Sequence, residues 1–383
     1  MNKTILSFLF FACTSIAFTQ DSIFARKIVD ILTSKAFWGW GYTKNGMHNA
    51  ALFLADEFKQ FGLKPMKGKS YFQNYNFSVN TFPDKMNVTI NGKELVAGKD
   101  FIVAAESKGF VGEGNVAQQD SVRFVDAKNK ITIKLETKLT MDVEQRVADY
   151  TLIQIDKKAL EAIPSTYHIS IDNQFLKNFK AANICGVVKG TIHPDSMIII
   201  TAHYDHLGGL GKDTYFPGAN DNASGVSLLL NLAKYYAKHP QPYTIGFILF
   251  SGEEAGLVGS KYFSENPLVN LNKIRFLTNT DLAGTGIDGI TVVNATIFPK
   301  EFKMMQDING ANQYVAAINS RGKAANSDHY WFTEKGIPSF FFYTLGGIKA
   351  YHDVFDISAT LPLNKHENLL KLMINFNEKL MGL

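Results

Sequence analysis

Residues 243–265 read YTIGFILFSGEEAGLVGSKYFSE, and how this stretch is divided decides the fold class. The run 243–250 carries no charge and is rich in aromatic and β-branched side chains, the composition of a buried strand. Two adjacent glutamates, Glu253 and Glu254, stand at its end, and GLVGSKYFSE then begins a helix. Carboxylates at the end of a buried strand cost free energy unless another group compensates them.

The same rhythm continues on both sides. MIIITAHYDH (197–206) is a strand reaching a polar end, and NASGVSLLLNLAKYYAKH (222–239) is an amphipathic helix with Asn222 or Ser224 near its start. IRFLTNTDLAG (274–284), ITVVNAT (290–296) and IPSFFFYT (337–344) supply further strands, and residues 363–383 close the chain as a helix. Apolar strands alternating with helices predict an α/β fold, a mostly parallel central sheet flanked by helices. Residues 21–66 read as helical, with Leu52, Phe53, Phe58 and Phe61 as the apolar stripe and Gly62 as a stop. Between about 80 and 178 the pattern is instead one of short β-type runs, with Asn91-Gly92 as a hairpin signal. The expected division is therefore a signal peptide at 1–20, a discontinuous main domain at 21–79 and 179–383, and an inserted β-rich domain at 80–178.

Bulk properties narrow the function. At 383 residues, 46% hydrophobic and 19% charged, the chain can bury a large core. A net charge of +4, with no cationic cluster interleaved with aromatics, gives no footprint for nucleic acid. Lys3 followed by a short apolar run and small residues near Ala17 reads as a secretory signal, so the protein is expected to be secreted or periplasmic. Lipid attachment at Cys13 is a minor alternative. No later segment reaches the length of a transmembrane span. Without the signal, Cys185 is the single cysteine, which excludes an intrachain disulfide and reads as a small buried hydrophobe.

Ligands of open α/β sheets gather at the carboxyl ends of the strands. The first strand delivers His203 and Asp205 there, the loop before the next helix Asp221, the second strand Glu253 and Glu254, and the third Asp281. The loop after 337–344 adds His352. Imidazole and carboxylate donors without thiolates suit zinc and its neighbours. One zinc takes three protein ligands plus water. His203, Asp221, Glu254, Asp281 and His352 make two sets of three if one carboxylate bridges, and Asp221 lies between the others in chain order. Asp205 is placed to accept the other N–H of the His203 imidazole. Adjacent residues at a strand end diverge, which leaves Glu253 to move protons as general base and acid.

The segments HYDHLG, GANDNASG, SGEEAGLVGS, NTDLAG, SDHYWF and YHD, in this order between 201 and 353, resemble the zinc aminopeptidases of peptidase family M28. Residues 38–66 and 181–196 are similar to the lead-in of that family. The resemblance implies two Zn2+ per chain and peptide substrates, with a water between the metals as nucleophile. It places one metal on His203 and Asp281, the other on Glu254 and His352, and Asp221 between them. It implies Glu253 as the catalytic glutamate, a cis peptide between Asp221 and Asn222, and a phenol role near the scissile carbonyl for Tyr351. The insert occupies the place where secreted members often carry a protease-associated domain, and it reads as a divergent version of that module or as an unrelated β insert. Asp328 and His329 read as pocket or scaffold residues, and Tyr330, Trp331 and Phe332 as apolar pocket or core. Other readings on the same architecture are a single-zinc glutaminyl cyclase and a carboxypeptidase, and one of another class is an inactive binding module. The intact set of five ligands argues against that last reading.

Overall fold

The computed structural model describes residues 21–383; the expected signal segment and Cys13 lie outside them. Its centre is a sheet in which Tyr243–Phe250, His193–His203, Ile274–Thr280 and Ser339–Leu345 run side by side in parallel. The chain passes from His193–His203 outward to Tyr243–Phe250, then returns to the opposite side for Ile274–Thr280. That reversal opens a crevice at the carboxyl ends of the middle strands. Antiparallel strands extend the sheet on both sides: Gln174–Val188 pairs with Tyr243–Phe250, and Gly289–Val293 pairs with Ser339–Leu345.

The period-two alternation of the central strands distributes their side chains to two cores. Ile198, Ile200, Phe247 and Leu249 face the helices Gly46–Phe61, Gly225–Lys238 and His366–Met381. Met197, Ile199, Ile248 and Phe250 face the other side, where Phe263 and Phe332 come from the helices Val258–Glu265 and His329–Glu334. Cys185 is fully buried in this second core, and its burial pushes the thiol up, as expected of a packing residue. Among the described residues no helix is long and apolar enough to cross a membrane.

The stretch read as helical at 21–66 is in fact two helices, 21–32 and Gly46–Phe61, separated by a turn at Trp38–Trp40. Its buried stripe is Met47, Ala50, Ala51, Leu54, Ala55 and Phe58, whereas Leu52 is 51% exposed. Three of these six are alanines, which a count of large apolar residues passes over. Gly62, at φ +87°, ends the helix as expected, its N–H bonding the carbonyls of Phe58 and Lys59.

Strands Phe72–Thr81 and Gln174–Val188 lead out of the main sheet as a long antiparallel pair and return to it. Between them, residues 86–171 build a four-stranded and a five-stranded sheet. Asn91 and Gly92, both at positive φ, turn the hairpin that pairs Val88 with Leu95. These two sheets share a core of their own, which also takes in Leu207, Leu210 and Phe216 from the loop after His203. The β-rich segment is thus packed onto the loop that carries the site.

Phe247 is fully buried and packs edge-on against Phe58. Phe247→Ala is expected to cost about 3–5 kcal/mol in urea unfolding. Val111→Ala, at a side chain 64% exposed, should stay within about 0.5 kcal/mol. Equal midpoints for the two variants would contradict this packing.

Candidate metal centre

The crevice collects the residues that the strand ends were expected to deliver. His203 closes its strand, Glu253 and Glu254 follow Tyr243–Phe250, and Asp281 follows Ile274–Thr280. Asp221 lies in the irregular turn Ala219–Ser224, with a cis peptide to Asn222. Asn222 rather than Ser224 caps the next helix: its side-chain oxygen accepts the N–H of Gly225 at 3.0 Å. His352 reaches in from the loop after Ser339–Leu345.

The Asp221 carboxylate stands between the two imidazoles. Its Oδ1 is 3.3 Å from His203 Nε2, and its Oδ2 is 3.1 Å from His352 Nε2. Asp281 Oδ1 lies 3.4 Å from His203 Nε2, and Glu254 Oε2 lies 3.1 Å from His352 Nε2. Potential donor atoms of His203, Asp221 and Glu254 all fall within 4.8 Å of one another, as do those of His203, Glu253 and Asp281. The distances therefore bring Glu253 into the same cluster as the expected ligands.

Main-chain carbonyls hold both rings. His203 Nδ1 is 3.0 Å from the carbonyl of Asp205, and His352 Nδ1 is 2.8 Å from that of Met141. A carbonyl can only accept, so each Nδ1 carries the proton and each Nε2 is turned toward Asp221. Here the structure corrects the expected partner of His203. The Asp205 carboxylate lies 3.9 Å from Nδ1. It is engaged elsewhere, accepting the N–H groups of Glu253 and Glu254 at 3.0 and 3.3 Å and the hydroxyl of Tyr42 at 2.7 Å. Two free N–H groups at the tight turn beyond Gly252 outcompete the ring, and Asp205 orients the glutamate pair instead.

The electrostatics call for positive charge. Burial opposes protonation of His203, yet the carboxylates of Asp281, Glu253 and Asp221 outweigh it and hold the ring well above the usual range. Burial pushes the other way at Asp221, where the imidazoles of His203 and His352 keep the carboxyl well below its usual value. Glu253 is raised well above the carboxylate range by burial, which outweighs the lowering by His203, while the charges of Asp328, Glu254 and Asp281 add to the rise. Imidazolium protons mark the places where a cation would relieve this crowding. His203 Nε2 and Asp281 Oδ1 are buried without a hydrogen-bond partner among the described residues, an arrangement suited to donors directed at a metal ion. Nitrogen and carboxylate oxygen donors fit zinc.

Other expected residues fall at the edge of the centre. The Tyr351 ring stacks on His352 with centroids 4.0 Å apart and is 42% exposed. Asp328 and His329 are fully buried; burial pushes the carboxyl up to about 7 and the imidazole down to about 3. Phe332 belongs to the core. Three residues were not anticipated. Asp356 accepts the N–H groups of Asn220 and Asp221 and so fixes the loop that carries Asp221. Met141 comes from the β-rich segment. His206, the second histidine of HYDH, contacts Glu254 at 2.8 Å; its spacing of three from His203 was its only signal.

The profile of Peptidase family M28 matches residues 183–377, just over half of the chain. Aminopeptidase YwaD of Bacillus subtilis is 27% identical over 256 residues, 63% of this chain and 54% of that protein. A probable zinc metalloprotease of Pyricularia oryzae is 34% identical over 111 residues, 28% of this chain and 22% of that protein. The alignments thus span about half, or less, of the curated relatives' length. Among solved structures, BSAP, a zinc aminopeptidase from Bacillus subtilis, superposes with a TM-score of 0.67 at 19% identity, covering 94% of both chains. A peptidase M28 precursor from Shewanella amazonensis gives 0.68 at 14%, covering 94% of this chain and 95% of that one. Both likenesses concern the fold.

A hydrogen bond to a charged group contributes about 1.5–3 kcal/mol. Tyr42→Phe, which removes only the hydroxyl bound to Asp205, is expected to lower unfolding free energy by about that amount. Unchanged stability would show that the hydroxyl does not hold the carboxylate.

Proposed function

The chain belongs to peptidase family M28, and from that premise we propose that it is a two-zinc aminopeptidase acting on peptides. The observation that carries this reading is the Asp221 carboxylate, with one oxygen 3.3 Å from His203 and the other 3.1 Å from His352. His203, Asp281 and Asp221 would hold one zinc, and Glu254, His352 and Asp221 the other. Bound there, zinc supplies Lewis acidity that polarises the scissile carbonyl and acidifies the attacking water.

The chain's own residues supply the rest. Glu253 takes the proton of the attacking water and returns it to the leaving amine. Its burial, the largest cause raising its proton affinity, suits a group that must hold a proton between those two steps. Asp205 fixes the main chain of both glutamates, so that Glu254 stays with the ligands while Glu253 faces the substrate. Tyr351, partly exposed and stacked on His352, would direct its hydroxyl to the carbonyl side of the substrate. Residues 80–178 form an inserted domain over the site. A cavity of about 520 Å³ lies between Glu254–Gly256 and insert residues 102–106 and 140–144, and the substrate's end is seated against it.

Glu253→Gln is expected to keep both zinc ions while turnover falls by about 10²–10⁴-fold. Wild-type turnover in that variant would remove Glu253 from the mechanism. On a peptide panel the enzyme should release free N-terminal residues and spare N-blocked peptides. Release from the carboxyl end, or cyclisation of N-terminal glutamine without release, would assign one of the other chemistries of this architecture.

A further inference from the structure

Glu254 has two oxygens, and the structure gives them different partners. Oε2 faces His352 Nε2 at 3.1 Å, beside Asp221. Oε1 is 2.8 Å from Nδ1 of His206. The Glu254 side chain is 4% exposed and that of His206 is fully buried, so water does not compete for this bond. We propose that His206 is a positioning residue for Glu254: its Nδ1–H occupies Oε1, so that the carboxylate presents the single oxygen Oε2 to the zinc shared with His352 and Asp221. The proposal rests on Glu254 being a zinc ligand.

The ring is built into its place. Its main-chain N–H donates to the carbonyl of Trp40 at 3.4 Å. The Trp40 indole lies on one side at 6.2 Å between centroids, and the His352 ring lies at 6.0 Å, nearly perpendicular. Gly218, at φ +68°, backs against the imidazole, and a side chain there would overlap ring carbons Cγ and Cδ2. Among the described residues Nε2 has no hydrogen-bond partner. Among the described residues the one polar attachment of this side chain is therefore Glu254.

The chemistry fixes the direction of the bond. A carboxylate that ligates a metal must be ionised and can only accept, so Nδ1 donates. The bond takes one lone pair of Oε1 and fixes the plane of the carboxylate, so turning both oxygens toward one ion costs a charge-assisted bond. Partners of this kind typically contribute about 10–100-fold to metal affinity. They do so by holding the donor in the geometry it adopts when bound.

The test is a zinc titration of metal-stripped protein against a competing chelator, comparing wild type, His206→Leu, His206→Asn and Glu254→Gln. His206→Leu should weaken one zinc step by about 10–100-fold, the same step that Glu254→Gln weakens, and leave the other unchanged. His206→Asn places an amide N–H close to the position of Nδ1 and should lose less than the about 10-fold that removal of such a partner costs at the least. Thermal melting of the metal-stripped proteins reports whether each variant is folded. Should His206→Leu not fold, His206→Gln, whose amide extends toward the Nε2 position, is expected to weaken the same step. Wild-type affinity in the folded donor-deficient variant overturns the proposal. So does an Asn variant as weak as Leu, which would mean that ring packing and not the donor matters. If Glu254→Gln binds both ions as wild type does, the ligand reading of Glu254 fails and the proposal with it. If Glu254→Gln loses a step and the His206 variants do not, only the role of His206 falls.

Discussion

Each of the two imidazoles gives its Nδ1–H to a main-chain carbonyl, and both Nε2 atoms therefore converge on the two oxygens of Asp221. The rest of the site depends on this constraint. If either ring turned over, an N–H would replace a lone pair, and the carboxylates around it would lose their shared focus. Buried carboxylates are tolerated only when paired, hydrogen-bonded or bound to a cation. The sheet meets that demand by ending its parallel strands at one crevice, so that imidazoles and carboxylates distant in sequence face a common point. Asp205 and Asp356 add a second tier. They tie down the N–H groups of the SGEE turn and of the Asp221 loop, which converts flexible connections into fixed mounts.

Much of this was legible in the sequence, for a physical reason. A buried strand has an apolar run with a sharp polar end, and the end is where an open α/β sheet places its ligands. His203, Glu253, Glu254 and Asp281 are all signalled in that way. Asp221 and His352 sit on loops and became recognisable through their short motifs and the donor count. The Asn91-Gly92 hairpin and the Gly62 stop were readable because their backbone angles favour those residues.

What stayed hidden depends on contacts made far along the chain. Met141 lies 211 residues before His352 and acts through its carbonyl, so no side chain announces it. The same segment receives a return bond, Met141 N–H to the His352 carbonyl at 2.9 Å, and Lys138 reaches the carbonyls of Lys349 and Tyr351. The β-rich segment is thereby coupled to the orientation of a candidate ligand. Asp205 was assigned the nearer donor because sequence spacing shows proximity and not competition; in the fold two main-chain N–H groups reach it first. Large apolar residues dominate a pattern count and put Leu52 inside, whereas the buried face of its helix takes Ala50, Ala51 and Ala55 beside Leu54 and Phe58.

The central claim is that Asp221 stands between two zinc ions. Crystals of the zinc-loaded protein measured on both sides of the zinc absorption edge test it directly. The account predicts two anomalous peaks, one beside His203 and Asp281 and one beside His352 and Glu254, with a carboxylate oxygen of Asp221 facing each. A single peak, or two peaks that Asp221 does not separate, would contradict it.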